Sequence, residues 1–232
     1  MDNGLSFLLA ALVGYLVGSI SPARFVGRRV SPGEDLSKTP FHLDDGVTLE
    51  YQGVSATSVA MRTGAGPGCT VSMLDMVKGV LPVLALRLLF PGTSLDLVAG
   101  AAVIAGHNFP IWHRLKGGRG MSPLFGVLLL VDWTAIPATM VASSVVGLVI
   151  LADPYLSYVM SPVFLIPWFW WRFGLGPETM FALAANVLYW VATVPELRDW
   201  ISYRRTHPRS RRERLREYRK GFVGLVLPEK KK

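Results

Sequence analysis

Long, nearly uncharged apolar stretches alternate along this chain with short polar segments. A helix needs about 20 apolar residues to cross a bilayer, and blocks of this length are typical of membrane spans. The pattern predicts seven spans, at residues 5–26, 70–90, 95–112, 120–131, 134–152, 157–173 and 177–195. The expected fold class is all-α, a polytopic bundle of about seven transmembrane helices. It divides into a transmembrane domain over residues 1–195 and a basic tail over residues 196–232.

The fourth predicted span is the shortest. The apolar stretch 120–152 is too long for one crossing, and Asp132 beside Trp133 suits a turn that divides it. A segment of about 12 residues can cross only if the neighbouring helices shield its ends. A fourth span of this length therefore has to lie inside the bundle.

The basic residues predict the orientation of the chain. In the seven-span arrangement, 21 of the 24 lysines and arginines lie on one side, in the loops 24–69 and 113–119 and in the tail. Positive charges favour the cytoplasmic side of a membrane. We therefore expect an external amino terminus, a cytoplasmic tail and a functional surface on the cytoplasmic face of the cell (inner) membrane.

The net charge of +8 is concentrated beyond residue 196, where thirteen basic residues follow the last apolar block. A cluster in this position indicates anchoring to anionic membrane lipid rather than binding of nucleic acid. The tail is either a helix on the membrane surface or a solvated basic segment, and the sequence favours neither. The single cysteine, Cys69, excludes an internal disulfide, and no metal site is predicted.

A glycine-rich turn (residues 117–120) lies between the third and fourth spans and follows His107 and Lys116. Gly117, Gly118 and Gly120 let backbone N–H groups approach a ligand, and the start of the next helix attracts anions. Lys116 and Arg119 add full charges, and an arginine can bind a phosphate bidentately. The turn therefore predicts phosphate binding. The alternative is a tight loop whose cations only orient the chain.

Asp75 and Lys78 lie inside the second predicted span. At a spacing of i, i+3 they share a helix face and can pair. Charges inside a span usually face the bundle interior and indicate function. The alternative is a purely structural ion pair.

Two further features suggest polar chemistry at the same surface. The loop before the second span offers Ser55, Thr57, Ser58 and Arg62 as donors to an anion, although such hydroxyl clusters commonly cap helices. His107 closes the third span, and an imidazole can take a proton from a hydroxyl. It can equally well be a structural hydrogen-bonding group.

These motifs, in this order, resemble those of the bacterial acyl-phosphate-dependent glycerol-3-phosphate acyltransferases. The family's G-S-I-P is similar to Gly18-Ser19-Ile20-Ser21-Pro22, and its L-D-x-x-K-G to the segment 74–79. Its G-H-x-F-P followed by K-G-G-K-G resembles residues 106–110 and 116–120. Its Y-x-S turn resembles Tyr155-Leu156-Ser157, which adds Ser157 to the candidate site. The resemblance covers nearly the whole chain.

This chain departs from the family at its first cytoplasmic motif. G-S-x-N-x-G-A-T-N-x-x-R is only echoed by residues 55–58 and Arg62, with no asparagine and one extra residue before the arginine. The tail motif H-x-x-N-I survives at best as residues 207–210. Residues 31–52 form an insertion, either a lid or a disordered loop.

The resemblance implies transfer of an acyl chain from acyl phosphate to glycerol 3-phosphate, with lysophosphatidate and phosphate as products and no cofactor. It implies catalytic roles for His107 and Arg119. Phosphate or substrate binding is expected of the remaining candidates, which are Ser55, Thr57, Ser58, Arg62, Lys78, Lys116, Gly117, Gly118, Gly120 and Ser157. Two alternatives stay open: a catalytically silent paralogue that binds lipid phosphate, and a transporter of a small anionic solute.

Overall fold

The computed structural model describes residues 3–33, 36, 38–42 and 48–216, and this part of the chain is mostly helical. The helices are α1 (Asn3–Gly18), α2 (Pro22–Val30), α3 (Ala56–Thr63), α4 (Ala65–Leu89), α5 (Leu95–Asn108), α6 (Met121–Val131), α7 (Ala135–Ser144), α8 (Pro154–Val159), α9 (Leu165–Phe173) and α10 (Pro177–Thr206). The strands are β1 (Lys38–His42) and β2 (Thr48–Gln52). A π-helical turn, Val145–Ile150, extends α7, and a 3₁₀ turn, Ser161–Phe164, leads into α9.

The first predicted span, 5–26, is not one continuous helix. α1 ends at Gly18, and α2 begins at Pro22 after a break over residues 19–21. Pro22 has no backbone N–H, so it fits the first position of a new helix but cannot continue the preceding hydrogen-bond ladder. The Ser19 hydroxyl donates to the carbonyl of Tyr15, 2.8 Å away. The break leaves backbone carbonyls near Gly18 without helical partners.

The insertion after α2 corrects the all-α expectation. β1 and β2 pair antiparallel, from Lys38 opposite Gln52 to His42 opposite Thr48, so part of residues 31–52 is a β-hairpin. Leu36, just before the hairpin, is buried against Gly27 and Val59. The insertion is thereby attached to the helices on either side of it.

α1 and α5 cross closely because glycines line their contact. A Cβ on Gly14 would lie 2.4 Å from the Ala99 carbonyl oxygen, and one on Gly18 would lie 2.2 Å from that of Val103. Gly106 on α5 approaches the Tyr15 backbone in the same way. Small residues four apart let membrane helices approach to backbone contact. This crossing packs the carboxyl-terminal half of α5, which carries His107, against the end of α1.

The Gly18→Ala variant tests this crossing. We expect it to lower the free energy of unfolding by about 1–3 kcal/mol, because the added methyl group forces two backbones apart. Gly4→Ala in the same helix is the matched control, since a Cβ there meets nothing within 4 Å. Thermal unfolding of the purified variants in detergent measures the difference. Equal midpoints for the two variants would contradict the close crossing.

The predicted break at Asp132 is confirmed. α6 ends at Val131, and the Asp132 carboxylate accepts hydrogen bonds from the Thr134 backbone N–H at 3.1 Å and from Trp168 Nε1 at 3.0 Å. Arg172 adds an ion pair at 3.2 Å. The turn is therefore held by one buried carboxylate that links α6 to α9.

Contacts between distant segments define two ends of the bundle. At the tail end Arg24 donates to the Lys116 carbonyl, Arg119 pairs with Glu196 of α10, and Arg204 of α10 pairs with Asp153. At the opposite end Arg87 of α4 pairs with Asp96 of α5 at 2.7 Å and donates to the Leu130 carbonyl.

Three described helical segments are long and apolar enough to cross a membrane, namely Gly4–Val30, Ala65–Leu89 and Pro177–Thr206. The remaining apolar helices are shorter. α10 continues well past residue 195, so the predicted boundary between domain and tail falls inside a helix.

Candidate active site

Lys78 lies at the centre of the tail end, where the helix break after α1 meets α4. Its ammonium group donates to the carbonyls of Gly18 at 3.0 Å and Ile20 at 2.8 Å. It also pairs with Asp75 at 2.8 Å, which confirms the ion pair predicted within this helix. Lys78 is 6% exposed and Asp75 1%. A buried charge has to be paired, and here the break in α1 supplies the additional acceptors.

His107 completes this group, which we call the buried polar cluster (Asp75, Lys78 and His107). Its Nδ1 lies 2.9 Å from Lys78 Nζ and 3.4 Å from an Asp75 carboxylate oxygen. The residue is 8% exposed. The structure therefore brings together two of the predicted site residues, Lys78 and His107, and adds Asp75 as the group that holds both.

The glycine-rich turn packs directly on the end of α5. The Gly118 N–H donates to the His107 carbonyl at 3.1 Å, and a Cβ on Gly118 would lie 2.3 Å from His107 Nε2. A Cβ on Gly117 would lie 2.0 Å from the His107 carbonyl oxygen. Gly120 has φ +85° and begins α6 without a side-chain cap. The glycines are thus required to seat the turn against His107.

A small pocket, with enclosed room for about one water molecule, opens to solvent beside the buried polar cluster. Asp75, Lys78 and His107 form part of its wall, together with Ser21 and Gly117. The Val54 N–H donates to the Gly117 carbonyl at 3.2 Å, which ties the segment before α3 to the glycine-rich turn. The pocket therefore has a buried ammonium and an imidazole beside a backbone break.

Arg119 and Lys116 do not line this pocket. Arg119 is 9% exposed and pairs with Glu196 of α10 at 3.1 Å, with its guanidinium 5.8 Å from the centre of the Tyr158 ring. The Lys116 side chain is exposed, and its backbone carbonyl accepts from Arg24 Nη2 at 2.8 Å. The turn thus places Gly117 on the pocket side and Arg119 toward α8 and α10.

The candidate residues of α3 form a helix start. The Ser55 hydroxyl accepts from the Thr57 N–H at 3.2 Å, and the Ser58 hydroxyl accepts from the Ser55 N–H at 2.9 Å. This is a capping box, so the hydroxyls of Ser55 and Ser58 already serve the backbone. Arg62, near the end of α3, donates to the Thr39 hydroxyl of the hairpin at 3.4 Å. Phosphate binding by these residues stays a prediction.

Ser157 lies on α8, and its hydroxyl donates to the Pro154 carbonyl at 2.6 Å within the same helix. Its backbone packs against Gly147, where a Cβ would approach the Ser157 Cα to 2.2 Å. The structure brings α8 near Arg119 through Tyr158 but gives Ser157 no contact with the buried polar cluster among the described hydrogen bonds. Its substrate contact also remains a prediction.

The sequence did not identify Glu196 or Arg24 as site residues. Glu196 follows Pro195 at the end of an apolar block, and Arg24 lies just after the helix break. Each acts through a partner far away in sequence, so neither could be paired from spacing. Arg24 and Arg28 also surround His113 outside the spans. Partial burial and these two cations lower the pKa of the His113 imidazole, which keeps it neutral at neutral pH.

The described part of the tail contacts the protein. Arg214 donates to the Ala152 carbonyl at 2.9 Å, and Arg211 donates to that of Val149, both beyond the end of α7. Arg204 pairs with Asp153 at 3.5 Å. Arg211 and Arg214 therefore bind carbonyls at the end of the π-helical turn, in line with the negative end of a helix dipole, and Arg204 binds the carboxylate that caps the start of α8. These contacts hold the described part of the tail to the protein, and anchoring of the tail to anionic lipid stays a prediction.

Comparison with known proteins relates this geometry to an enzyme family. The family described as Glycerol-3-phosphate acyltransferase matches residues 8–202. Glycerol-3-phosphate acyltransferase 2 of Dehalococcoides mccartyi is 26% identical over 201 residues, covering 86% of this chain and 89% of that protein. The Glycerol-3-phosphate acyltransferase of Rhodopseudomonas palustris strain BisB5 is 31% identical over 192 residues, covering 80% and 88%.

The fold is similar to that of PlsY (YgiH), described as an integral membrane glycerol 3-phosphate acyltransferase. Its lysophosphatidic acid form superposes with a TM-score of 0.65 at 22% identity, covering 86% of this chain and 93% of that one. Its glycerol 3-phosphate form gives the same score at 23% identity. The shared fold is that of an integral membrane protein, and the match over residues 8–202 shows that this chain belongs to the glycerol-3-phosphate acyltransferase family.

Proposed function

We propose that this protein is a membrane acyltransferase that moves an acyl chain from acyl phosphate to the 1-hydroxyl of glycerol 3-phosphate. The products are lysophosphatidate and inorganic phosphate. The observation that carries the proposal is the pocket beside Lys78 and His107, seated against the glycine-rich turn in a member of this family. A buried ammonium next to a polar pocket suits an anionic substrate.

In the proposed reaction the acceptor hydroxyl oxygen forms a bond to the acyl carbonyl carbon, and the bond from that carbon to the phosphate oxygen breaks. The phosphate leaves with the electron pair of that bond. The hydroxyl proton passes either to His107 or to a substrate phosphate, since phosphate is a good leaving group that needs little assistance. Holding the two reactants together contributes most of the rate.

Both substrates carry a phosphate, so the site needs two positions for anions. At the pocket Lys78 would contribute its charge, since its N–H groups are engaged by Asp75 and two carbonyls, and Arg119 would bind a phosphate on the other side of the glycine-rich turn. The turn lies between the two cations. The acyl chain would lie among the apolar helices, which keeps the reacting ends of both substrates at the tail end of the bundle.

We further propose seven membrane spans with an external amino terminus and the site on the cytoplasmic face of the inner membrane. The contacts at the two ends support this arrangement, because the basic loops meet at the tail end and Arg87 and Arg172 lie at the other. Exposed tail residues such as Arg205, Arg212 and Arg216 would then face anionic lipid. Residues 217–232 lie outside the described part of the chain.

Phosphate release tests the function. Purified protein in detergent is expected to release inorganic phosphate from an acyl phosphate only when glycerol 3-phosphate is present, because the acceptor hydroxyl is the nucleophile. A colorimetric phosphate assay, with mass spectrometry of the lysophosphatidate product, measures both products. Glycerol in place of glycerol 3-phosphate is the control for the acceptor phosphate. Release that is independent of any acceptor would contradict the proposal.

A catalytically silent lipid-phosphate-binding relative is the second candidate. The capping box favours this candidate, because the hydroxyls of Ser55 and Ser58 accept backbone hydrogen bonds at the start of α3. The asparagines of the family motif are also missing there. Binding of glycerol 3-phosphate without turnover under any lipid condition would support this candidate over the enzyme.

A further inference from the structure

Arg119 is held by a residue on α10, a helix that carries none of the family motifs noted in the sequence. Its Nη1 lies 3.2 Å and 3.1 Å from the two carboxylate oxygens of Glu196. The Arg119 side chain is 10% exposed and that of Glu196 22% exposed. The pair joins the glycine-rich turn to the far end of α10, 77 residues along the chain.

Glu196 lies at a weak point of α10. Pro195 immediately precedes it inside the helix and cannot donate a backbone hydrogen bond to the previous turn. The segment after it is held to the turn before α8, since Trp200 Nε1 donates to Asp153 at 3.2 Å and Arg204 pairs with the same carboxylate. α10 therefore lacks one backbone hydrogen bond beside the Arg119–Glu196 pair, and the segment after it is attached to the start of α8.

A carboxylate and a phosphate compete for the same guanidinium N–H groups, and two anions side by side repel each other. A phosphate that binds Arg119 through Nη1 must therefore displace the Glu196 carboxylate. Asp199, one turn away on the exposed face of α10, adds a second negative charge close to Glu196. The apparent affinity of the site then depends on how often Arg119 is released.

We propose that Glu196 is a positioning residue that holds Arg119 in place and competes with substrate phosphate for it, which sets the apparent affinity of the site. This inference rests on the proposed function only in its choice of substrate. The same competition applies to inorganic phosphate, the expected product.

The Glu196→Gln variant is expected to lower KM for acyl phosphate by roughly fivefold or more, with kcat unchanged or reduced, because the neutral amide competes poorly with phosphate. Glu196→Asp, which keeps the charge, should restore a KM close to that of the natural protein. A structural ion pair would lower stability without improving KM. Initial rates over a range of acyl phosphate concentrations separate the two constants.

Two controls match this variant. Asp199→Asn removes a nearby charge without touching the pair, so its KM should stay within about twofold of the natural value. Asp96→Asn breaks the ion pair with Arg87 at the opposite end and should affect stability alone. A KM that falls as far in Asp199→Asn as in Glu196→Gln would overturn the specific role of Glu196.

Binding of inorganic phosphate, followed by calorimetry in detergent, separates this inference from the proposed function. Tighter phosphate binding by Glu196→Gln, with no acyl transfer by any variant, would support the role of Glu196 and contradict the acyltransferase. Acyl transfer with an unchanged KM and unchanged phosphate affinity in Glu196→Gln would overturn the inference and leave the enzyme intact.

Discussion

The Arg119→Ala variant is expected to lose acyl transfer by about 100-fold or more, the usual effect of removing one donor to developing negative charge. Arg119 lies at the start of α6 beside the glycine-rich turn, and no other cation is positioned there among the described ion pairs. Lys116 points outward. Steady-state phosphate release in the presence of glycerol 3-phosphate measures the loss.

Folding has to be separated from catalysis in this experiment. Removing Arg119 leaves the Glu196 carboxylate partly buried without its partner, which destabilises the protein. The double variant Arg119→Ala with Glu196→Gln removes both charges and should unfold closer to the natural protein while it stays inactive. Arg114→Gln, which removes an exposed cation from the same loop, should keep its activity. Full activity in Arg119→Ala would contradict the proposed phosphate contact.

The Lys78→Met variant is expected to have the largest effect on stability, about 3–5 kcal/mol in the free energy of unfolding. The ammonium has three N–H groups, which match Asp75 and the two backbone carbonyls at the helix break, and it lies 2.9 Å from His107 Nδ1. Removing it leaves a buried carboxylate unpaired and two carbonyls without a donor. Activity should be lost as well. Thermal unfolding in detergent, read by tryptophan fluorescence, measures the change.

The double variant Lys78→Met with Asp75→Asn tests whether the unpaired charge causes that loss. It should recover part of the stability, since the remaining amide carries no charge. Lys116→Met is the control for loss of a cation at the same end and should change stability by less than about 0.5 kcal/mol. A Lys78→Met variant as stable as Lys116→Met would show that the cluster does not hold the tail end together.

The local relations in the site could be predicted from sequence. Asp75 and Lys78 share a helix face because residues three apart always do, whatever the surrounding fold. The division of the long apolar stretch at Asp132 follows from the cost of a charge inside a span. The insertion at residues 31–52 was visible from sequence, but its hairpin was not predicted, although Asp45-Gly46 between the two strands is a sequence typical of a hairpin turn.

The distant relations could not be predicted. Lys78 binds the carbonyls of Gly18 and Ile20 only because Pro22 interrupts the first span and α1 crosses α5 at backbone contact. Arg119 was expected beside Lys116 as a cation of one phosphate position at the glycine-rich turn, with Arg62 at a second phosphate position nearby. In the structure Arg119 pairs with Glu196 of α10 instead. The glycine-rich turn packs on the end of α5, so Gly117 lies on the pocket side and Arg119 lies on the side of α10.

The sequence by itself determined that this is a helical membrane protein, predicted that most of its cations lie on one side of the membrane, and placed the glycine-rich turn and His107 in one family motif. These properties follow from hydrophobicity, charge and spacing along the chain, which act locally. Only the tertiary structure decided which partners neutralise the buried charges of Lys78 and Arg119. Those partners come from other helices, and the packing of α1 on α5 and of α10 beside α6 brings them within hydrogen-bond distance.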